Sequence, residues 1–407
     1  MRIIIHSDEY YPTAQACAYR MQVFTDTFME MGDDVTVITS SANKMNGTID
    51  SAAHKEKIIY APAVRMTKKS TPMRLLNNLS FAVTSVLYSF GSGKADIVIS
   101  TSPPPLISLS GWLIAKSKKA RLIYDVRDIW PDVALEMGSF TENSFMCSVF
   151  RAIARFMYKH ADIVTTVSPG KVNKIRGYVR DSGKEKGKNS GEDKVWLAGN
   201  GFDESVSRSE YFQSVVDEYG LEDKFTCVYI GNIGLAQGLD SLLRVAAETR
   251  HKDIQFLLFG KGAEKEMLEK KAQEEGLTNV RFCGPIEHSK VFSVLSKAKL
   301  SFISLKTSKM KDSVPTKVYE SLGIGCPVLL VAEGDSAEIV EEAGLGIHIS
   351  PDNTDQLVDR FDEMIDHYDD YLVHRDSAIH LMHSKYSRQK IAEELELKLR
   401  DLCKAER

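Results

Sequence analysis

Short runs of β-branched and other apolar residues alternate with amphipathic stretches along the whole chain, and this alternation constrains the fold more than any other feature. Residues 2–6, 35–39, 96–100, 121–125 and 163–167 read as strands, with helices expected at 16–32, 72–90, 104–118, 144–160 and 169–180. Most of these strand segments hold a continuous apolar run rather than a strict apolar–polar alternation, so both faces must be covered. Such strands, separated by helices, imply parallel sheets in α/β layers. The pattern pauses at 180–194, a polar Gly- and Lys-rich stretch with no residues for a core, expected as a surface loop. A strand at 194–198 then leads into Asn200-Gly201-Phe202-Asp203, a turn signal.

The second half restarts the same pattern. Strands are expected at 226–230, 255–259, 280–283, 300–304, 328–331 and 346–349, and helices at 237–250, 263–275, 288–297, 315–323 and 335–343. Helical character then runs through 354–404. A chain of 407 residues exceeds what one core usually supports. Two consecutive doubly wound, Rossmann-like domains follow, at 1–204 and 205–384. Sheets of this kind bind ligands beyond the carboxyl ends of their strands, and two facing sheets place the expected site in the cleft between them.

Composition excludes several classes. With 43% hydrophobic and 27% charged residues the chain is neither disordered nor collagen-like. Its six cysteines form no C-x-x-C pair and lie far apart in apolar surroundings, which suits a reduced, cytoplasmic protein. No apolar run reaches the ~18 residues of a membrane span. Acids at Asp8 and Glu9 interrupt the first apolar run where a signal peptide would continue. The net charge of −4 is unevenly spread: residues 55–194 hold 23 basic against 12 acidic residues. That excess suits a phosphate-rich partner or an anionic membrane, or equally a solvated face plus the lysine-rich loop. No nucleic-acid module or aromatic–basic stripe accompanies it, so nucleic acid is not expected.

The first strand is followed by HSDEYYPTAQACAYR, which contains no glycine, so a redox dinucleotide fingerprint is missing. Gly260-Lys261-Gly262 follows a strand but lacks the third glycine. The informative segment runs from Lys311 to Val328. Pro315 fits the first turn of a helix, with Thr316 and Lys317 at its positive end, where amides and the helix dipole bind anions. Glu320 lies one turn on and can face the same ligand. A plain βα unit carrying a Lys–Glu pair at i, i+3 would look the same.

This stretch resembles the carboxylate signature of family 4 retaining glycosyltransferases of GT-B fold, in which two acids are separated by seven residues. The pair here is Asp312 and Glu320, and the run Leu322-Gly323-Ile324-Gly325-Cys326-Pro327-Val328 is similar to the family's M-A-x-G-x-P-V. Tyr229-Ile230-Gly231-Asn232-Ile233-Gly234-Leu235-Ala236-Gln237-Gly238 resembles the family's glycine loop, with Gln237 where many relatives carry a lysine for the diphosphate. Asp125-Val126-Arg127-Asp128-Ile129-Trp130-Pro131-Asp132 corresponds to a segment that usually carries His-Asp, with Arg127 in place of the histidine. Asn200–Asp203 and Tyr10-Tyr11-Pro12 match the linker turn and first-strand loop, without the glycines expected near 14–16. The resemblance spans roughly residues 2–400, and its variants look most like bacterial O-antigen and capsule transferases, including those for L-fucosamine and other N-acetylated, 6-deoxy or aminosugars.

The resemblance implies a GT-B pair of Rossmann-like domains, with the last helix (385–407) crossing back onto the first. It implies a retaining, metal-independent transferase that needs no cofactor beyond its substrate, a UDP-linked nucleotide sugar. Glu320 would hold the ribose hydroxyls and Asp312 would lie near the donor sugar and its phosphate. With Gln237 uncharged, Lys317 would take the diphosphate, Lys261 standing second. Gly231, Asn232, Gly234, Gly260, Pro315 and Thr316 complete the nucleotide-side set; Arg127 and Asp128 are the catalytic candidates of the first domain, Asp128 serving equally well as a structural partner of Arg127. The acceptor would be a glycan carried on polyprenyl diphosphate. A row of Arg151, Arg155 and Lys159 on the helix at 144–160 would meet the inner face of the plasma membrane, unless that helix is an ordinary one buried on its sheet. A GT-B-fold UDP-N-acetylhexosamine 2-epimerase and a nucleotide-sugar-binding protein without catalysis are the alternatives.

Overall fold

Near-continuous apolar strands cannot leave a face in water, and in the computed structural model they form two parallel sheets, each covered on both faces. The structure describes residues 1–13, 15–42, 55–65, 71–182 and 194–404. Most of the loop expected at 180–194 lies outside them. The chain divides into two units, Met1–Asn200 with Arg388–Arg407, and Gly201–Ser387.

In the first unit the described strands are β1 (Arg2–His6), β2 (Asp34–Ser40), β3 (Lys57–Ala61), β4 (Ile97–Ser102), β5 (Arg121–Val126), β6 (Ile163–Thr166) and β7 (Val195–Leu197). They form one parallel sheet in the order β3-β2-β1-β4-β5-β6-β7. Successive side chains divide between the faces. Ile3, Ile5, Val35, Val37, Ile97 and Ile99 pack against the helices Ala16–Glu30 and Arg388–Lys404 through Phe24, Phe28, Leu395 and Leu399. Ile4, Val98, Leu122, Tyr124 and Val164 pack on the other side against the helices Pro105–Lys118, Phe145–His160 and Pro169–Ser182, through Ile114, Phe150, Ile153, Met157 and Ile175.

In the second unit the described strands are β8 (Thr226–Ile230), β9 (Gln255–Phe259), β10 (Val280–Gly284), β11 (Leu300–Ser304), β12 (Val328–Val331) and β13 (Gly346–Ile349). All pair in parallel in the order β10-β9-β8-β11-β12-β13. Five have the bounds expected from sequence, and β10 runs one residue further. In each sheet the strand order reverses beside the first strand, between β1 and β4 and between β8 and β11, which is where doubly wound sheets open a crevice at their carboxyl ends.

The helix Phe145–His160 is an ordinary sheet-covering helix along much of its surface. Cys147, Phe150, Ile153, Ala154, Met157 and Tyr158 are buried, and Phe156 meets Trp112 edge-on at 5.0 Å. Arg155 and Lys159 are exposed, whereas Arg151 is half-buried.

Candidate functional site

The glycine loop at the carboxyl end of β8 is built by close backbone approach. Gly231 N–H donates to the Phe259 carbonyl at 2.9 Å, and Ile233 N–H to the Lys261 carbonyl at 3.0 Å. A Cβ on Gly260 would lie 1.8 Å from the Gly231 oxygen, and one on Gly262 would lie 1.9 Å from the Ile233 oxygen. Glycine is therefore a steric requirement of the β8 and β9 loops at these positions. The turn Leu235–Gln237 is pinned to the end of β11, since Ser304 Oγ donates to the Gln237 carbonyl at 2.5 Å and Lys306 N–H to the Ala236 carbonyl at 2.9 Å. The Asn232 side-chain amide reaches Gln237 Oε1 at 3.5 Å.

The second component is the helix Thr316–Ile324. Pro315 stands at its N-cap with φ −62° and ψ 135°, and Gly325 ends it in the left-handed region at φ 80°. Its N-terminal amides and dipole favour an anion. The loop leading to it is clamped where Asp335 N–H donates to the Lys311 carbonyl at 2.9 Å. That clamp sets Asp312, half-buried, just ahead of the helix.

Lys317 joins the two components. Its Nζ donates to Tyr229 Oη at 2.9 Å and lies 4.0 Å from the centroid of the same ring. Tyr229 Oη in turn donates to the Asn232 carbonyl at 2.5 Å, so ammonium, phenol and glycine loop form one relay. A Cβ on Gly231 would lie 2.8 Å from Lys317 Nζ. The cation thus sits directly over the loop, held by one hydrogen bond and a cation–π contact, with further N–H groups available to a ligand. Burial pushes Lys317 down to about 8, and the nearby Glu320 carboxylate opposes that shift. Glu320 and Thr316 are both half-buried on the same helix. Lys261 is exposed on the β9 loop. The structure brings Gly231, Lys317 and the loop residues Asn232 and Gln237 together, with Tyr229 as the contact that sequence reasoning quoted but assigned no role.

In the first unit, the carboxyl end of β5 carries a buried polar network. Asp125 accepts from Arg20 Nη2 at 3.1 Å, Thr101 Oγ1 at 3.1 Å and Thr165 Oγ1 at 2.8 Å. Arg127 is held by Thr101 Oγ1 at 3.0 Å and the Pro103 carbonyl at 2.8 Å. Asp128 pairs with the buried Lys171 at 3.4 Å, and its charge also acts on Arg127. Asp8 and Glu9, at the end of β1, complete the electrostatics. Burial raises Asp8 to about 7, helped by Glu9 and opposed by Arg127. Glu9 is likewise raised by burial. Burial alone would lower Arg127, yet Cys17, Asp8, Glu9 and Asp128 together lift it. These two acids stand where ligands of such sheets bind, a position that could have marked them in the sequence. A concavity of 660 Å³ lined by Ala95, Asp96, Arg121 and Asp162 lies at the opposite, amino end of the strands.

Residues 214–378 match the family described as glycosyl transferases group 1, and residues 19–185 match the glycosyl transferase 4-like domain. The chain is 24% identical over 387 residues to a protein of Escherichia coli (strain K12) named "Putative colanic acid biosynthesis glycosyl transferase WcaI", covering 88% of this chain and 90% of that one. It is 25% identical over 174 residues to an alpha-D-kanosaminyltransferase of Streptomyces kanamyceticus, covering 42% of this chain and 44% of that one. Among solved structures, a sucrose-phosphate synthase from Thermosynechococcus elongatus superposes with a TM-score of 0.81 at 16% identity, over 99% of each chain. HepE of Anabaena, in complex with UDP and glucose, superposes with a TM-score of 0.73 at 14% identity, over 98% of this chain and 100% of that one. At such identities these structures establish the fold.

Proposed function

We propose that this chain, whose two halves match glycosyl transferase domains, is a family 4 glycosyltransferase of GT-B fold that moves a sugar, with retention and without a metal, from a UDP-linked donor to a lipid-linked bacterial surface glycan. The observation that carries the reading is Lys317, a cation seated on Tyr229 over the glycine loop and beside a helix N-terminus. In this reading the donor's diphosphate lies against Lys317 and the amides around Thr316, with Gly231, Asn232, Gly234, Gln237 and Gly260 shaping the loop. Lys261 is the second cation. Glu320 accepts from the ribose hydroxyls, and Asp312 faces the sugar.

The chemistry asked of these residues is electrostatic. The acceptor oxygen bonds to the anomeric carbon as the bond to the phosphate oxygen breaks. UDP leaves with the electron pair, and the acceptor's proton passes to the departing phosphate oxygen. Lys317 and the helix end stabilise charge that grows on that oxygen, an interaction stronger in the transition state than in the bound donor. Arg127 and Asp128 are assigned to the acceptor side. An N-acetylated or 6-deoxy aminosugar is the donor sugar the resemblance suggests, and colanic acid in the name of the Escherichia coli relative supports a surface glycan as product.

Both family matches are to transferase domains, so the 2-epimerase alternative is not favoured. Incubation with a panel of UDP-sugars, with and without a polyprenyl-diphosphate acceptor, tests the reading. Transfer with the donor's anomeric configuration kept and insensitivity to EDTA are expected; net epimerisation without acceptor, inversion, loss of activity in EDTA, or binding without turnover would each overturn it.

A further inference from the structure

The helix Thr71–Ser89 is built inside out. The positions it turns into the protein include Phe81, Ser85 and Ser89, all fully buried, with Phe81 packed on Ala61 and Ile107. The positions it turns outward are Leu75, Leu79, Val83 and Leu87, spaced at i, i+4, i+8 and i+12 and 41%, 52%, 57% and 60% exposed. Phe90, just past the helix, is 67% exposed and continues the row. At ~1.5 Å per residue the leucine–valine row alone is about 18 Å long. A contiguous exposed apolar row of this kind marks an interaction surface.

Its surroundings select the partner. Between Glu56 and Asp125 the sequence has ten cations and one acid, Asp96, which is paired with Arg2. Two of those cations frame the exposed phenylalanine. Lys118 Nζ lies 5.8 Å from the Phe90 ring centroid, and Lys57 Nζ donates to the Gly91 carbonyl at 2.7 Å. Arg74 and Lys94 are exposed at the two ends of the row. Burial, and then the positive charge of Lys57, pull Lys118 down from its usual range, a repulsion that an anionic headgroup would relieve. A second copy of the chain on this face would instead oppose cations to cations. Among the described residues no helix is long and apolar enough to cross a membrane. A cationic rim around an apolar row is the pattern of a helix lying in the plane of a lipid surface.

We propose that the Leu75–Leu79–Val83–Leu87 row, with Phe90, Lys57 and Lys118, is the surface by which this protein lies on an anionic membrane. The inference deepens the functional reading, on which it rests for the lipid-linked acceptor, and it moves the contact from the helix Phe145–His160 to the helix Thr71–Ser89. The full chain is mixed with vesicles of phosphatidylcholine, with or without phosphatidylglycerol, and floated at low and high salt. The parent should float with phosphatidylglycerol at low salt. The L79E/V83E/L87E variant should lose about ten-fold or more of the bound fraction, while its thermal unfolding and its UDP affinity stay at parent values. R151E/R155E/K159E should float as the parent does. Undiminished flotation of L79E/V83E/L87E, loss confined to R151E/R155E/K159E, or equal flotation on pure phosphatidylcholine would each overturn the proposal. So would a parent that fails to float and is dimeric by light scattering where L79E/V83E/L87E is monomeric. Absence of UDP binding by the parent would sink the functional reading while leaving the flotation result to stand.

Discussion

Lys317 should cost the protein stability and supply its affinity, and replacing it with methionine separates the two. Its ammonium is displaced from 10.5 to about 8, chiefly because burial strips its hydration. A shift of that size corresponds to about 3 kcal/mol by which folding disfavours the charged form at neutral pH, an upper figure because the side chain is only half-buried. The direction follows from proton counts: between the folded value and the unfolded one, the unfolded chain binds more protons, so this contribution to stability rises with pH. It is unfavourable in full below pH 8 and is relieved towards pH 10.5. Lys317→Met keeps the aliphatic stem over Tyr229 and removes the charge, so it should raise the thermal midpoint at pH 7 by an amount equivalent to ~1–3 kcal/mol. The same change should weaken UDP by ~1.5–3 kcal/mol, the worth of a charge-assisted bond. In the parent, UDP should bind with uptake of about half a proton at pH 8, where the ammonium is half-titrated; calorimetry in buffers of different ionisation enthalpy measures this. A variant that melts lower, binds UDP as well as the parent, and shows the same proton uptake would refute the assignment.

Glu320→Ala should weaken UDP by ~1.5–3 kcal/mol in calorimetry, and unchanged affinity would remove it from the ribose. Lys317→Ala should lower turnover of the UDP-sugar more than it lowers uridine affinity, because the interaction grows as the leaving group charges; equal losses would count against that role. Gly231→Ala, at φ +147° and with its Cβ directed to 2.8 Å from Lys317 Nζ, should displace the ammonium from Tyr229. The expected result is a loss of UDP affinity with the ligand-free thermal midpoint reduced by ~1 kcal/mol or more in equivalent stability, and a parent-like value for both would refute it. Asp125→Ala should destabilise the first unit by ~3–5 kcal/mol, since it leaves the buried Arg20 guanidinium without its carboxylate; denaturant unfolding reads this, and a loss below 1 kcal/mol would contradict it.

Most strands could be read because parallel strands buried on both faces are apolar along their length, and β8, β9, β11, β12 and β13 have the bounds expected. β3 (Lys57–Ala61) was not foreseen. It is an edge strand, exposed at Lys57 and half-buried through Ile58–Tyr60, and Pro62 follows it at once, so its sequence lacks the buried-strand signature. The short helices Asp132–Glu136 and Gln213–Tyr219 also escaped, being too brief for a helical period to show. At the site, the anion-binding end at Pro315–Lys317 was legible because its chemistry is local. The seating of Lys317 on Tyr229 was not, because 88 residues separate them and the fold alone brings them together. The helix Thr71–Ser89 was legible as a helix, but periodicity cannot say which way an apolar stripe faces. Here Ser85 and Ser89 face in and Leu79, Val83 and Leu87 face out.

The chain enters the second unit at Gly201 and returns to the first at Arg388, which gives synthesis an order. Ala392, Leu395 and Leu399 are buried against the layer that holds Phe24 and Phe28, so that layer stays only partly covered on the ribosome until the helix Arg388–Lys404 emerges. At ~5–20 residues per second, translating the second unit takes on the order of ten seconds or more. For that interval the first sheet is a nascent domain with one apolar flank open to chaperones, and the stretch of message that follows the second unit closes the first domain.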